Sequence, residues 1–134
     1  MAATFSLQIV SPDGDVLNED VEFVILPGSA GELGILANHT ALISGLNPGV
    51  LRYTMNSTVK RVAIAGGFAE VVDNSATVLA ETAELSEDID LTRAQAAKER
   101  ALKRLSAPTP EIDVLRAEFA LRRAAARISA KEGN

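Results

Sequence analysis

The turn punctuation of this chain stops partway along, and that break constrains the fold more than any other feature. Every glycine except Gly133 lies at or before Gly67. After Asp73-Asn74-Ser75 no turn cluster occurs until Ser106-Ala107-Pro108-Thr109-Pro110. Frequent Gly, Pro, Asn and Asp breaks permit only short extended segments, whereas the long uninterrupted stretch permits helices. Charge shifts at the same place. Residues 1–85 carry three basic side chains (Arg52, Lys60, Arg61) against ten acidic ones, a net −7. Residues 86–134 carry ten basic against eight acidic, a net +2. Two differently built parts are expected, residues 1–86 and residues 87–134.

The first part reads as strands. Residues 4–10 alternate polar and apolar, the period of a half-buried strand. Ser11-Pro12-Asp13-Gly14 is a turn, because proline presets one dihedral and glycine accepts positive φ. Residues 21–26 form an apolar strand stopped by Pro27-Gly28. Gly31 and Gly34 bracket Glu32 and Leu33 as a tight loop leading into Ile35-Leu36. Ala41-Leu42-Ile43 is short and apolar, and Asn47-Pro48-Gly49 turns the chain into residues 50–55. Asn56-Ser57 joins that strand to residues 59–65. Gly66-Gly67 signals a bulge or a close backbone approach before residues 68–72. Asp73-Asn74-Ser75 then turns into Thr77-Val78-Leu79. Many short strands with closely spaced turns predict an antiparallel sandwich or barrel. Hydrophobic residues make up 47% of the chain but aromatics only 4%, so its core is aliphatic.

The second part contains a repeat. Ile89-Asp90-Leu91-Thr92-Arg93-Ala94 recurs as Ile112-Asp113-Val114-Leu115-Arg116-Ala117, and Arg100, Arg104 and Leu105 then match Arg123, Arg127 and Ile128. Two similar helices folded back through the proline-containing stretch are predicted. Asp88 or Asp90 would cap the first, and Thr109 with Pro110 at the first helical position would open the second. Leu91, Ala94, Ala101 and Leu105 share one face of the first helix; Ala117, Leu121, Ala124 and Ile128 share one face of the second. At about 25 cal/mol per Å² of apolar surface, seams so rich in alanine hold weakly. The hairpin should therefore lean on another surface and be able to leave it.

Arg93, Arg100 and Arg104, like Arg116, Arg123 and Arg127, are spaced by seven and four, which keeps each set on one helical face. Two readings stand side by side. Asp90 with Arg93, and Asp113 with Arg116, can be i,i+3 pairs that support a helix by a few tenths of a kcal/mol. Alternatively the guanidiniums converge from two helices onto a phosphate chain, where bidentate hydrogen bonding favours Arg over Lys.

Other chemistry is poorly supported. With no cysteine there is neither a disulfide framework nor a thiolate metal site. His39 is the only histidine and has no catalytic constellation around it, so no catalytic residues are expected. No lysine follows the glycines at 28–34 to make a phosphate-cradling loop, and the scattered acidic residues offer no metal site. The basic face is small and lacks interleaved aromatics, against nucleic-acid binding. No apolar run approaches the roughly 18–20 residues of a membrane span, and the N-terminus lacks signal-peptide features. A soluble intracellular protein is expected.

Taken together, Ser11-Pro12-Asp13-Gly14, Gly31-Glu32-Leu33-Gly34-Ile35-Leu36 followed by Asn38-His39, Gly66-Gly67-Phe68-Ala69-Glu70-Val71 and Val78-Leu79-Ala80-Glu81 resemble the epsilon subunit of the bacterial rotary ATP synthase. The order and spacing fit across essentially the whole chain. The resemblance implies an α+β fold, an antiparallel β-sandwich of about ten strands followed by a C-terminal α-helical hairpin. It implies a non-catalytic place in the central stalk, on the cytoplasmic face of the bacterial cell membrane. There the subunit would bind the gamma subunit and rest on the c-ring, coupling proton flow to ATP synthesis. The hairpin would block ATP hydrolysis when it extends toward the alpha and beta subunits. By position, Glu32 and His39 would be rotor contacts; Ala37 stands where many relatives have proline. Some members bind ATP in the folded hairpin through an Ile/Leu-Asp-x-x-Arg-Ala motif. This implies Ile89, Asp90, Arg93 and Ala94, with Glu84 upstream and Arg100, Arg123 and Arg127, as the ATP-binding residues. ATP would be a regulatory ligand, and no cofactor would be required. In the second copy of the motif only Arg116 is a possible phosphate neighbour, and Arg104 has no counterpart in the family's set.

Overall fold

A computed structural model describes residues 3–133. Eight strands come first: β1 (Phe5–Ser11), β2 (Gly14–Val21), β3 (Phe23–Gly28), β4 (Gly31–Leu36), β5 (Leu42–Gly45), β6 (Gly49–Met55), β7 (Thr58–Val72) and β8 (Ser75–Leu85). A single 3₁₀ turn at Ser86–Asp88 leads into α1 (Leu91–Ser106), and α2 (Val114–Glu132) follows.

The sandwich is made by folding one long ribbon. β7 and β8 pair antiparallel over nearly their whole length, from Val62↔Leu85 to Val72↔Ser75. The first half of β7 pairs with β6, which continues through β3 to β4. Its second half pairs with β5, while the first half of β8 takes β1 in parallel and β1 takes β2. Each long strand thus serves both layers. Dividing the two at the corner turns the eight strands into the ten layer segments expected, and β1–β8 is the one parallel pairing among them. The corner is Gly66-Gly67, at φ +74° and +107°, conformations that L side chains rarely adopt. A methyl group on Gly67 would overlap the Leu79 carbonyl oxygen. Of the two sequence alternatives the close approach is the one observed, because the β7–β8 register runs through the corner without a shift.

Between the layers lies an aliphatic core drawn from both: Leu7 and Ile9 of β1, Val24 and Leu26 of β3, Ile35, Leu51, Val62, Ile64 and Val78, all essentially inaccessible. Residues 62–65 of β7 are buried on both faces. Val62 and Ile64 join the core, while Ala63 points the other way, into a small cluster with Ile89 and Ala130. Small side chains on that outer face let a helix approach. α2 packs there, over β6 and β7, and α1 packs on α2.

Every buried residue within the helices is alanine. Ala94 and Ala101 of α1, like Ala117 and Ala124 of α2, are spaced by seven, as a helix–helix seam requires. Ala126 and Ala130 are spaced by four, Ala130 being part of the cluster against the sandwich. Leu105, Leu121 and Ile128, expected in the seam, are only partly buried.

Three local expectations are corrected. Glu32-Leu33 is not a loop but the start of β4; the turn precedes it, between Gly28 and Gly31, where φ reaches +128°. β2 has no counterpart in the sequence reading, since its exposed Asp15, Asn18, Glu19 and Asp20 mask the strand. Such charges suit an edge, where they discourage pairing with other chains. Thr109 and Pro110 do not open α2. The Ile112 N–H donates to the Thr109 carbonyl in a turn, and Asp113 is the cap.

Candidate functional site

The repeated hexapeptide proves to be a helix start. Asp90 Oδ1 accepts the backbone N–H of Arg93 at 3.1 Å, and Asp113 Oδ1 accepts that of Arg116 at 3.0 Å. Both aspartates are N-caps. The aspartates thus satisfy orphan backbone donors, and no ion pair joins them to the guanidiniums three residues on, as the i,i+3 reading proposed. Ile89 precedes the first cap and Ala94 is the fourth helical residue; both are buried. That is the spacing of a hydrophobic staple. Three of the motif's four fixed letters therefore have a folding role. Arg93 remains, with an exposed side chain.

Glu84 lies opposite Ala63 in the β7–β8 register and so faces α2. Arg127 Nε donates to Glu84 Oε1 at 2.9 Å. Around this pair is a cleft of about 360 Å³, lined by Ala63, Ile64, Ala65, Thr82, Ala83, Glu84, Arg123 and Arg127. Six of those residues belong to the sandwich and two, Arg123 and Arg127, to α2. Glu84, Arg123 and Arg127 of the expected ATP set thus meet at one opening between the two parts. Arg93 and Arg100 line neither this cleft nor its neighbour, and both are exposed on α1. Ile89 and Ala94 are packed inside.

The neighbouring cleft, of about 410 Å³, lies at the tip of the hairpin. Arg104 of α1 meets Arg116 and Arg123 of α2 there, with Glu111, Ile112 and Asp113 from the connection. Arg123 borders both clefts.

Glu32 and His39 sit apart. Glu32 is at the first end of β4, 59% exposed at its side chain, and receives Arg52 Nη2 at 2.7 Å. His39 follows the other end of β4, half-buried, its Nδ1 donating to the Thr40 carbonyl at 2.6 Å. The chain runs extended from Glu32 to Leu36 and then turns through Ala37-Asn38, with Asn38 at φ +63°, before reaching His39. Arg52 was not singled out in the sequence. Nor was the apolar outer face of the second layer, where Phe68 pairs with Leu79 and Leu79 with Val10. Phe68, Val72 and Leu79 are exposed, as is Ile43 on β5. Their signal was phase: Phe68 and Val72 alternate with the buried Ala69 and Val71.

Among the described residues no group of acidic or histidine side chains could hold a metal ion, and no helix is long and apolar enough to cross a membrane. The fold and its clefts define a two-part class of protein, a β-sandwich carrying a C-terminal helical hairpin. Family comparison is specific. Residues 4–86 match the beta-sandwich domain of the ATP synthase delta/epsilon chain, and residues 87–132 match its long alpha-helix domain. The ATP synthase epsilon chain of Desulfitobacterium hafniense strain Y51 is 59% identical over 106 residues, 79% of this chain and 80% of that one. The epsilon chain of Syntrophomonas wolfei is 52% identical over 110 residues, 81% of this chain and 80% of that one. A chain in the structure of the Euglena gracilis mitochondrial ATP synthase OSCP, F1 and c-ring superposes with a TM-score of 0.83 at 26% identity, covering 97% of this chain and 82% of that chain. This chain belongs to the ATP synthase delta/epsilon family, as an epsilon chain, a non-catalytic subunit of that complex.

Proposed function

We propose that the chain is a central-stalk rotor subunit whose sandwich couples the catalytic head to the c-ring and whose hairpin is an ATP-responsive brake on hydrolysis. The observation that carries the brake is the cleft between β8 and α2, because its walls belong to two parts that need not stay together. Glu84 comes from the sandwich, and Arg123 and Arg127 come from the helix. ATP held there binds only the folded form. Any ligand of that kind shifts the population by RT ln(1 + [L]/Kd), about 2.7 kcal/mol at a hundredfold excess over Kd. A docking surface made of Ala63, Val50, Ile89 and Ala130 is small enough for such a term to decide its state. High ATP then keeps the hairpin folded. Low ATP releases it to extend along the gamma subunit toward the alpha and beta subunits and stop wasteful hydrolysis.

In this reading the outer-face row of exposed Leu79 and Phe68 beside half-buried Val10 supplies the sandwich's grip on gamma, since an apolar patch of this kind marks a protein contact. Glu32, with Arg52, and His39 serve the lower, rotor-facing contacts toward the c-ring. The subunit is peripheral, at the cytoplasmic face of the bacterial cell membrane, and proton flow drives the rotor it joins. Residues 1–86 act as the stalk-binding domain and residues 87–134 as the regulatory one.

The test is an ATP titration of the isolated protein carrying a fluorophore pair, one on β6 and one on α2. Saturating ATP should shorten the mean separation and narrow its distribution. An unchanged separation overturns the switch. ATP hydrolysis by the assembled complex with and without residues 88–134 tests the brake separately, and equal rates would remove it.

A further inference from the structure

The tip cleft, adjacent to the inter-domain cleft, gathers three arginines. Arg104, Arg116 and Arg123 arrive from both helices at one opening of about 410 Å³. Their guanidiniums make no ion pair with the rest of the described protein. The two carboxylates at the same opening are differently placed. Asp113 is committed to the Arg116 backbone N–H, and Glu111 Oε2 accepts the Thr109 hydroxyl at 2.9 Å. Three donors with fork geometry are thus left facing solvent together, while the neighbouring acids are held by local bonds. Like charges gathered on two helices repel one another and gain nothing for the fold by meeting. A bound anion would reverse that repulsion. Arg rather than Lys at all three positions suits bidentate contact with phosphate oxygens.

We propose that this cleft binds the phosphate chain of a polyphosphate anion. Arg123 would be shared with the inter-domain cleft, and Arg104 and Arg116 would be contacts outside the family's set. Arg116, Arg123 and Arg127 fall on one face of α2 and span eleven positions, about 16 Å along the axis. A single elongated ligand could therefore lie across both clefts. That the chain belongs to a nucleotide rests on the ATP reading above; the claim on the tip cleft itself concerns only the phosphates. An anion there bridges α1 to α2, clamping the hairpin tip, whereas the Glu84–Arg127 cleft clamps α2 to the sandwich.

The probe is inorganic tripolyphosphate, titrated calorimetrically into the full chain at about 0.15 M salt, with ATP titrated in parallel. Tripolyphosphate should bind one to one. Arg104→Gln and Arg116→Gln should each weaken it about tenfold or more, the loss expected for a charge-assisted hydrogen bond. Lys98→Gln, which removes an exposed cation of α1 outside both clefts, should not weaken it. Arg104→Lys should recover part of the loss, which a merely misfolded tip would not. If the two Arg-to-Gln variants weaken ATP as well, the occupant is a nucleotide's triphosphate; if ATP binding is untouched, it is free polyphosphate. Both results support the site. Absence of tripolyphosphate binding, or equal binding by parent and both Gln variants, overturns it. With ATP binding intact, that failure would leave the ATP reading standing.

Discussion

Arg127 of α2 and Glu84 of β8 join the two parts of the chain, Nε to Oε1 at 2.9 Å, with side chains about a quarter and a third exposed. Both lie on the wall of the inter-domain cleft. The pair therefore does two things at once: it holds the folded hairpin and it occupies the groups a ligand would use. At this exposure solvent screens the pair, and its contribution is about 1 kcal/mol. Glu84→Gln should loosen the empty hairpin by that amount, visible as a broader distance distribution between labels on β6 and α2. The same variant should leave Arg127 freer for an anion. A double-mutant cycle with Arg127→Gln checks the coupling, and additive effects would mean the contact contributes nothing.

Gly67 should be irreplaceable. Alanine there must take φ near +107° and also displace the Leu79 carbonyl, on a ribbon shared by both layers. Gly67→Ala should cost more than about 3 kcal/mol, at the severe end for a single substitution. Urea unfolding measures this, and a loss below about 1 kcal/mol would mean that the corner relaxes.

The architecture was legible because it rests on local signals. Glycine and asparagine turns cut the first part into strands, and spacings of seven put alanines on facing seams. Gly66-Gly67 announced a special backbone, although not which kind. What escaped the sequence depends on tertiary position. β2 reads as polar loop because an edge strand needs no buried face. Glu84 pairs with a residue in another domain, and that partner is invisible to any local pattern. Pro110 is a good first helical residue, yet Asp113 three positions later offers a carboxylate to an orphan N–H, and the helix starts there instead. Of the candidate nucleotide residues, Ile89, Asp90 and Ala94 carry folding signals strong enough to explain their presence. Arg93, Arg100 and Arg123 carry none, and on them, with the Glu84–Arg127 pair, rests the functional reading.

The two caps should behave alike. Asp90→Ala and Asp113→Ala each remove a side-chain acceptor from a helix start, for about 1 kcal/mol. Helical circular dichroism during thermal unfolding should show both. If only Asp90→Ala lowers ATP affinity, by more than the shared loss of helix stability, then Asp90 also contacts the ligand.

Tyr53 gives the sandwich a response to alkali. Burial, and then the charges of Glu19 and Glu87, raise its phenol above the ordinary 10.0. The unfolded chain loses that proton first, so the preference for the neutral form is fully present below about pH 10. It is lost as pH rises through the folded value. Stability measured by urea should begin to fall as pH rises past about 10, and Tyr53→Phe should flatten that slope. An unchanged slope would assign the loss to other groups.

The last prediction concerns where the molecule opens. The sandwich encloses its own core, from Leu7 to Val78, whereas the hairpin meets it through the small apolar cluster of Ala63, Ile89, Ala130 and Val50 and the partly exposed Glu84–Arg127 pair. Contacts so few and so small cannot keep α1 and α2 seated for as long as the core keeps β1, β6 and β7 paired. Native-state hydrogen exchange should therefore separate two classes of amide. Those of residues 91–132 should exchange through a sub-global opening, several kcal/mol easier than the global unfolding that exposes the central strands. A chain ending near Ser86 should keep the strand class nearly unchanged, because its buried residues stay covered. ATP at a hundredfold excess over its Kd should raise the protection of the helical class by about 2.7 kcal/mol and leave the strand class alone until the two approach each other. Protection that rises equally throughout would mean that hairpin and sandwich open as one unit, and a brake that moves independently of its base would then have no physical basis.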